Sequence, residues 1–391
     1  MRSYRPLPRG LLPWFCALAV SACGGSGYNG GSPQSSPSTG GPASTYTVTN
    51  LVSDGAVPAA HTDANLKNPW GVVFNGGGPL LAPVWVANNG TNTSTLYDGN
   101  GAGVPLSLPI PNPLLPFVFN IPAGQNGDAA PTGIVYNATS DFVVAGVVPV
   151  PPLTAAASFI FSGEAGTIAA WTTGDLTNAM TVYDDGAGGA IYKGLANASN
   201  GTANFLYATD FHNNKVDVFD KDFKKVAAPG GFVDPSLPVG YAPFGIQAVA
   251  NKIYVTYAQQ KAPDNHDEVD GAGLGYVDLF DADGNMLQRV VSGGPLNAPW
   301  GIALAPKDFG SFSDALLIGN FGDGLINAFN PANGAFLGSL SDASGKPIAF
   351  PGLWGICFGN DVMSQPHNTL FFAAGINDEA DGLYGRIDLK K

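Results

Sequence analysis

A glycine-centred, apolar-flanked tetrapeptide returns six times along this chain, about every fifty to sixty residues, and each copy opens a short β-rich run. The copies are Asn68-Pro69-Trp70-Gly71, Ala130-Pro131-Thr132-Gly133, a degenerate Tyr192-Lys193-Gly194-Leu195, Ala242-Pro243-Phe244-Gly245, Ala298-Pro299-Trp300-Gly301 and Gly352-Leu353-Trp354-Gly355. A period of that length, with several short strands between copies, marks a ring of small sheets. The expected fold is all-β, a six-bladed β-propeller with four-stranded antiparallel blades.

Most copies lead into an apolar strand, such as Ile134-Val135-Tyr136 or Ile302-Ala303-Leu304. The repeated glycine allows backbones to crowd near the axis, so the tetrapeptide reads as a packing code. Second strands follow, among them Val84-Trp85-Val86-Ala87, Leu206-Tyr207-Ala208-Thr209 and Leu316-Leu317-Ile318-Gly319, each running into a polar loop. Third strands alternate, as in Tyr276-Val277-Asp278-Leu279-Phe280-Asp281, and two of them close on the turns Asp283-Gly284 and Asn333-Gly334. The last blade has only three strands of its own, ending at Gly385-Arg386-Ile387-Asp388-Leu389. Tyr46-Thr47-Val48-Thr49-Asn50-Leu51 is therefore expected to complete it and close the ring without an open edge. The proline-rich runs 109–116 and 147–152 read as insertions, and Cys357 as a small apolar filler of an inner strand.

The front of the chain has a different composition. Arg2, Arg5 and Arg9 precede the apolar run Leu11–Val20, which is too short to span a bilayer and reads as a signal peptide over 1–22. Val20-Ser21-Ala22-Cys23 resembles a bacterial lipobox, which implies lipidation of Cys23 and a membrane anchor. Residues 23–44 are a Gly/Ser/Pro-rich flexible linker, and 45–391 the propeller domain. Gly24 stands where an Asp would hold such a lipoprotein back, so export to the cell envelope, at the outer membrane of a Gram-negative host, is the expected location.

Charge limits the partners. The formal net charge of −13 becomes −16 once the three leader arginines are gone, with 14 basic against 30 acidic residues. Such a surface repels phosphate backbones, so nucleic acid is excluded as the expected partner. A glycan, a peptide, a protein or a cation stays open, and the chain is expected to be a monomer.

In a four-stranded blade, the loop into the inner strand and the loop between the second and third strands lie on one face. On that face the sequence gathers Asn88, Asn89, Glu164, Asp210, His212, Asn213, His266, Asp267, Asn320, Asp323, Asn377 and Asp378 as the candidate ligand-binding set. His61, Asp63, Glu164 and Asp210 are the candidate ligands of a divalent cation such as calcium. The alternative is that Asn-Gly and Asp-Gly pairs are what tight turns require. His367 falls on the opposite face. The cluster 264–270 does not keep the register of an EF-hand loop and reads as a solvated loop or lid. No G-x-S-x-G elbow occurs.

The run Asn68-Pro69-Trp70-Gly71…Trp85-Val86-Ala87-Asn88-Asn89-Gly90, with the later Ala-Pro-Phe-Gly and Ala-Pro-Trp-Gly copies, resembles an uncharacterised family of exported bacterial propeller proteins, and more distantly NHL-repeat six-bladed propellers. The resemblance covers nearly all of 46–391 and implies the fold, while relatives of that superfamily include scaffolds, lyases and metal-dependent lactonases. Two functional readings follow. One is an anchored binding or scaffold module, favoured by the tether and the absence of a catalytic constellation. The other is a metal-dependent hydrolase or lyase acting on a small sugar-derived or peptide substrate.

Overall fold

The six tetrapeptides become the heads of the innermost strands, Pro69–Val73, Pro131–Tyr136, Tyr192–Ser199, Tyr241–Val249, Pro299–Leu304 and Leu353–Phe358. Proline is tolerated at these strand starts because its missing N–H falls where the ladder begins. The structure is a computed structural model and describes residues 44–75, 83–106, 117–145, 154–172 and 177–390. The expected signal peptide, the lipidated Cys23, nearly all of the linker and the insertions 109–116 and 147–152 lie outside the described residues.

Among the described residues six sheets form the ring: in blades one to five the chain zigzags outward from the inner strand through three more antiparallel strands, and in blade six through two, the fourth being Tyr46–Ser53. Blade three shows the pattern plainly: Tyr192–Ser199, Asn204–Asp210, Lys215–Phe219 and Lys225–Val226. Two blades carry an additional strand beyond the expected four. Glu268–Val269 pairs with the second strand of blade four, Lys252–Gln260, and His61–Thr62 lies parallel to Tyr46–Ser53 on the rim of blade six. A small hairpin, Val143–Ala145 with Thr154–Ala156, rises between the first two strands of blade two.

The ring closes as expected, the N-terminal strand completing the three-stranded last blade. Tyr46–Ser53 pairs antiparallel with Leu383–Leu389, with Tyr46 opposite Leu389 and Val48 opposite Ile387. Tyr46 anchors the seam from blade five, stacking near Phe309 and Phe312 and donating its hydroxyl to the Phe309 carbonyl at 2.9 Å. Apolar clusters fill the wedge between neighbouring blades; between blades one and two, Trp85 stacks on Phe159 and Phe119 with Trp171 beside them. Cys357 lies fully buried in the cluster between blades six and one.

Around the axis the glycines make a closed circuit. A Cβ on Gly71 would meet the Thr132 carbonyl oxygen at 2.7 Å, and one on Gly301 would meet that of Trp354 at 2.6 Å. Gly133 lies against Leu195, Gly194 against Phe244, Gly245 against Trp300 and Gly355 against Trp70. Each glycine thus backs onto the head of the next inner strand, so the packing code has a direct steric meaning: at five of the six the neighbouring backbone leaves no room for a side chain, and at Gly194 the approach is looser, 3.0 Å.

Candidate functional site: the axial mouth

The residue before each of the six glycines points the site out. Those positions hold Trp70, Thr132, Lys193, Phe244, Trp300 and Trp354. The aromatic ones converge on the axis. Trp70 stacks on Trp354 at 3.4 Å between centroids, Trp300 meets both edge-on, and Phe244 and the half-buried Phe321 close on Trp354. Trp300 of this plug also lines an axial cavity of about 30 Å³, with Gly133, Ile134, Leu195, Gln247 and Ile302. That is room for little more than water, too small for an organic ligand.

Lys193 is the one charged residue among the six, contributed by the degenerate copy. Its side chain is 2% exposed, pairs with Glu164, and sits over the Trp70 ring at 5.2 Å. From there a polar chain crosses three further blades. Asn89 donates to Glu164 at 2.8 Å, and Asn68 donates to Glu379 at 2.9 Å and more distantly to Asn89. The Trp354 indole donates to Asn68 at 3.1 Å, and the Trp300 indole to the Lys193 carbonyl at 2.9 Å. Glu379 reaches this position on a turn in which Asn377, Asp378 and Glu379 all have positive φ, and Asn68 has φ 42. Left-handed backbone at non-glycine residues is costly and is held only where surrounding contacts enforce it.

Blade four contributes from above. The insert after Gln260 turns back so that Glu268 and Val269 pair with the second strand, and Gly271 is tied to the Asn297 side chain. His212 of blade three donates Nδ1 to the Asp264 carbonyl and braces the insert. The segment expected to be a solvated loop is therefore partly strand, and it brings Glu268 and Asp267 within the field of Lys193.

The electrostatics follow from burial and crowding. Burial raises the Glu164 carboxyl, but the Lys193 ammonium and the hydrogen bonds from Lys193 and Asn89 outweigh it and hold it below its ordinary value. Burial alone would lower Lys193; Glu164, Glu268 and Asp267 keep it charged. Glu268 goes the other way: burial, with Glu379 and Asp270 nearby, pushes it up to about 7 against the pull of Lys193. Glu379 is raised too, again chiefly by burial.

A raised folded-state carboxyl favours the protonated form, so Glu268 supports the fold most below its unfolded value of 4.5 and loses that support as pH rises through about 7. Glu268→Gln is expected to gain on the wild type by on the order of 2 kcal/mol between pH 5 and pH 8 in denaturant titrations. A difference that does not change with pH would remove Glu268 from the mouth's charge balance.

Of the residues expected from sequence, Asn89, Glu164 and Asp267 belong to the mouth. Others on the same loops do local structural work. Asn88 is fully buried and donates to Thr93 and Thr95, Asn320 donates to the Pro295 carbonyl and to Asp323, and Asp210 accepts from Ile191 and Asn213. Asn213 and Asp378 are exposed, His266 pairs with Asp267, and Asn377 donates to Asp381. His61 sits exposed on the rim of blade six, and Asp63 accepts from Tyr97 and Asn65. Among the described residues no three His, Cys, Asp or Glu side chains gather as a metal set, so His61, Asp63, Glu164 and Asp210 stay apart. His367, off this face, is bracketed by Asp361 and Asp308. Asn68, Glu268 and Glu379 lie on loops that the sequence already assigned to this face, whereas Lys193 was not expected there. Lys193 had a signal: it breaks the aromatic or small character of the repeat at a position where every copy points to the axis.

A protein of Acanthamoeba polyphaga mimivirus, described as uncharacterized, is 33% identical over 354 residues, covering 88% of this chain and 80% of its own. A second uncharacterized mimivirus protein is 30% identical over 354 residues, covering 88% and 86%. The chain belongs to their family. The family thus includes viral proteins. No protein-family model matches the chain. Among solved structures, a streptogramin B lyase aligns with a TM-score of 0.50 at 15% identity over 88% of this chain and 97% of that one. A glucose dehydrogenase aligns at 0.48, also 15% identical, over 88% and 100%. At that identity the lyase likeness supports the propeller fold alone.

Proposed function

We propose that this family member is an exported β-propeller, lipid-anchored through Cys23 at the cell envelope, that serves as a binding module with its ligand site at the axial mouth. The observation that carries the reading is the convergence of Lys193, Glu164, Asn89, Asn68, Glu268 and Glu379, drawn from five blades, over one aromatic plug. Half-buried polar groups of both signs, fixed by a rigid ring, suit recognition of a small polar ligand or an exposed group of a glycan, peptide or protein. The signal sequence and lipobox support export and anchoring. Nucleic acid is disfavoured by the net charge.

Because Trp70 and Trp354 lie directly beneath the mouth, their fluorescence reports on it. Screening the purified chain against neutral sugars, amines, organic acids and short peptides is expected to find at least one class that shifts the emission of the wild type, with the shift lost in Asn89→Ala. If the shift persists in that variant, the mouth is not the site.

A second reading, a hydrolase or lyase, draws on Glu268. A carboxyl titrating near neutrality beside a fixed ammonium is suited to proton transfer. It differs from the first in requiring turnover, which Glu268→Gln is then expected to abolish.

A further inference from the structure

The donor and acceptor inventory of the mouth points to the kind of group it takes, given that the mouth is the ligand site proposed above. The Lys193 ammonium offers three N–H donors; it is almost fully buried and Glu164 is its one hydrogen-bonding partner among the described side chains. Trp70, 2% exposed and under that ammonium, has its indole N–H buried with no acceptor. The donor capacity of Lys193 is therefore underused at the floor. Around them stand carboxyl groups of Glu164, Glu268 and Glu379, half-buried at the rim, which accept, and of which Glu268 is partly protonated near neutral pH.

Each ligand class can be weighed against this set. A ligand carboxylate or phosphate would face Glu164, Glu268, Glu379 and Asp267 with only one ammonium to offset them. A ligand ammonium would find the cation position over the Trp70 face already filled by Lys193. A hydroxyl fits both sides, because it accepts from Lys193 while donating to a carboxylate, and it brings no charge to be desolvated. The acceptors come from three blades, which suits several hydroxyls on one ring better than a single alcohol. The half-buried Phe321, stacked on Trp354 at 4.2 Å, offers an apolar surface beside them for a ligand's C–H face.

We infer that the axial mouth binds a neutral polyhydroxylated ligand, a sugar ring or cyclic polyol, through Lys193 as donor and Glu164, Glu268 and Glu379 as acceptors.

The test uses the purified full chain and saturation-transfer NMR with four kinds of probe: methyl glycosides of glucose, mannose and galactose; myo-inositol; glucuronate as the acidic counterpart; and 1,5-diaminopentane as the cation. At least one neutral probe is expected to bind, with glucuronate and the diamine at least about tenfold weaker, and with Glu379→Gln weakening the neutral probe about tenfold. Lys193→Met is expected to remove binding, and Glu379→Gln serves as the control where Lys193→Met fails to fold. Binding of only the acid or only the amine, lost in Glu379→Gln, overturns the ligand class and leaves the mouth as the site. Neutral binding indifferent to Glu379→Gln overturns the site as well. No neutral probe bound at about 50 mM overturns the inference.

Discussion

Gly245→Ala is expected to lower stability by more than about 3 kcal/mol, or to prevent folding, whereas Gly194→Ala stays within about 1 kcal/mol of the wild type. Both positions have the same role in the repeat, and neither needs a left-handed backbone, so the contrast isolates sterics. A Cβ at 245 would overlap the Trp300 carbonyl oxygen and approach the Thr256 hydroxyl at 2.8 Å. That hydroxyl accepts from the Gly245 N–H at 2.9 Å, so it cannot retreat without breaking a buried hydrogen bond. Moving the Trp300 carbonyl shifts the head of the blade-five strand and with it the indole that packs edge-on against Trp70 and Trp354. At 194 the nearest atoms lie at 3.0 to 3.2 Å, two of them side-chain atoms of Thr209 and Ile246, and small adjustments suffice. There the loss of unfolded-chain freedom on replacing glycine offsets part of the strain, by about 0.4–1 kcal/mol. Equilibrium denaturation of the two variants checks the ranking, and equal losses would mean that the axial circuit is not what the glycines are for.

The ring was legible because its signals are local and repeated. A glycine with an apolar flank at the head of a strand of five to nine residues identifies an inner strand without any knowledge of its neighbours, and six copies fix the blade number. The closing strand could be read because the last blade was visibly one short. The additional strands could not. His61–Thr62 and Glu268–Val269 are two residues long and owe their pairing to the strands beside them, so they carry no periodicity of their own. The site was half legible for a related reason. Loop position marked the correct face, yet residue type on that face did not separate Asn89, which donates across blades to Glu164, from Asn88, which turns inward to Thr93 and Thr95. Asparagine serves both tasks equally well, and the chain leaves the strand for a 3-10 turn between the two residues. The more informative signal was departure from the repeat. A position that five copies fill with aromatic or small residues and one fills with lysine cannot be explained by packing alone.

Lys193→Met tests that departure, and its expected effect is a loss of about 3 kcal/mol. The cost arises on the partner. Glu164, with a side chain only 15% exposed, keeps its charge because the ammonium and two hydrogen bonds outweigh burial. With methionine in place only Asn89 still donates to it, and the buried carboxylate is left without a counter-charge. The double variant Lys193→Met, Glu164→Gln is expected to recover most of the loss, since a neutral amide can still be held by Asn89 and no isolated charge stays buried. The pH dependence separates this from a mere change of shape. In the wild type, Glu164 titrates below its ordinary value, so it stabilises the fold above 4.5 and that contribution falls away on acidification. In Lys193→Met its carboxyl rises instead, so the variant is expected to lose stability as pH increases from 5 to 8, the opposite sign. Denaturant titrations of the single and double variants at pH 5 and pH 8 read both effects. A single variant whose deficit is the same at both pH values, and which the second substitution does not relieve, would mean that Lys193 fills space at the axis and that its charge has no part in the mouth.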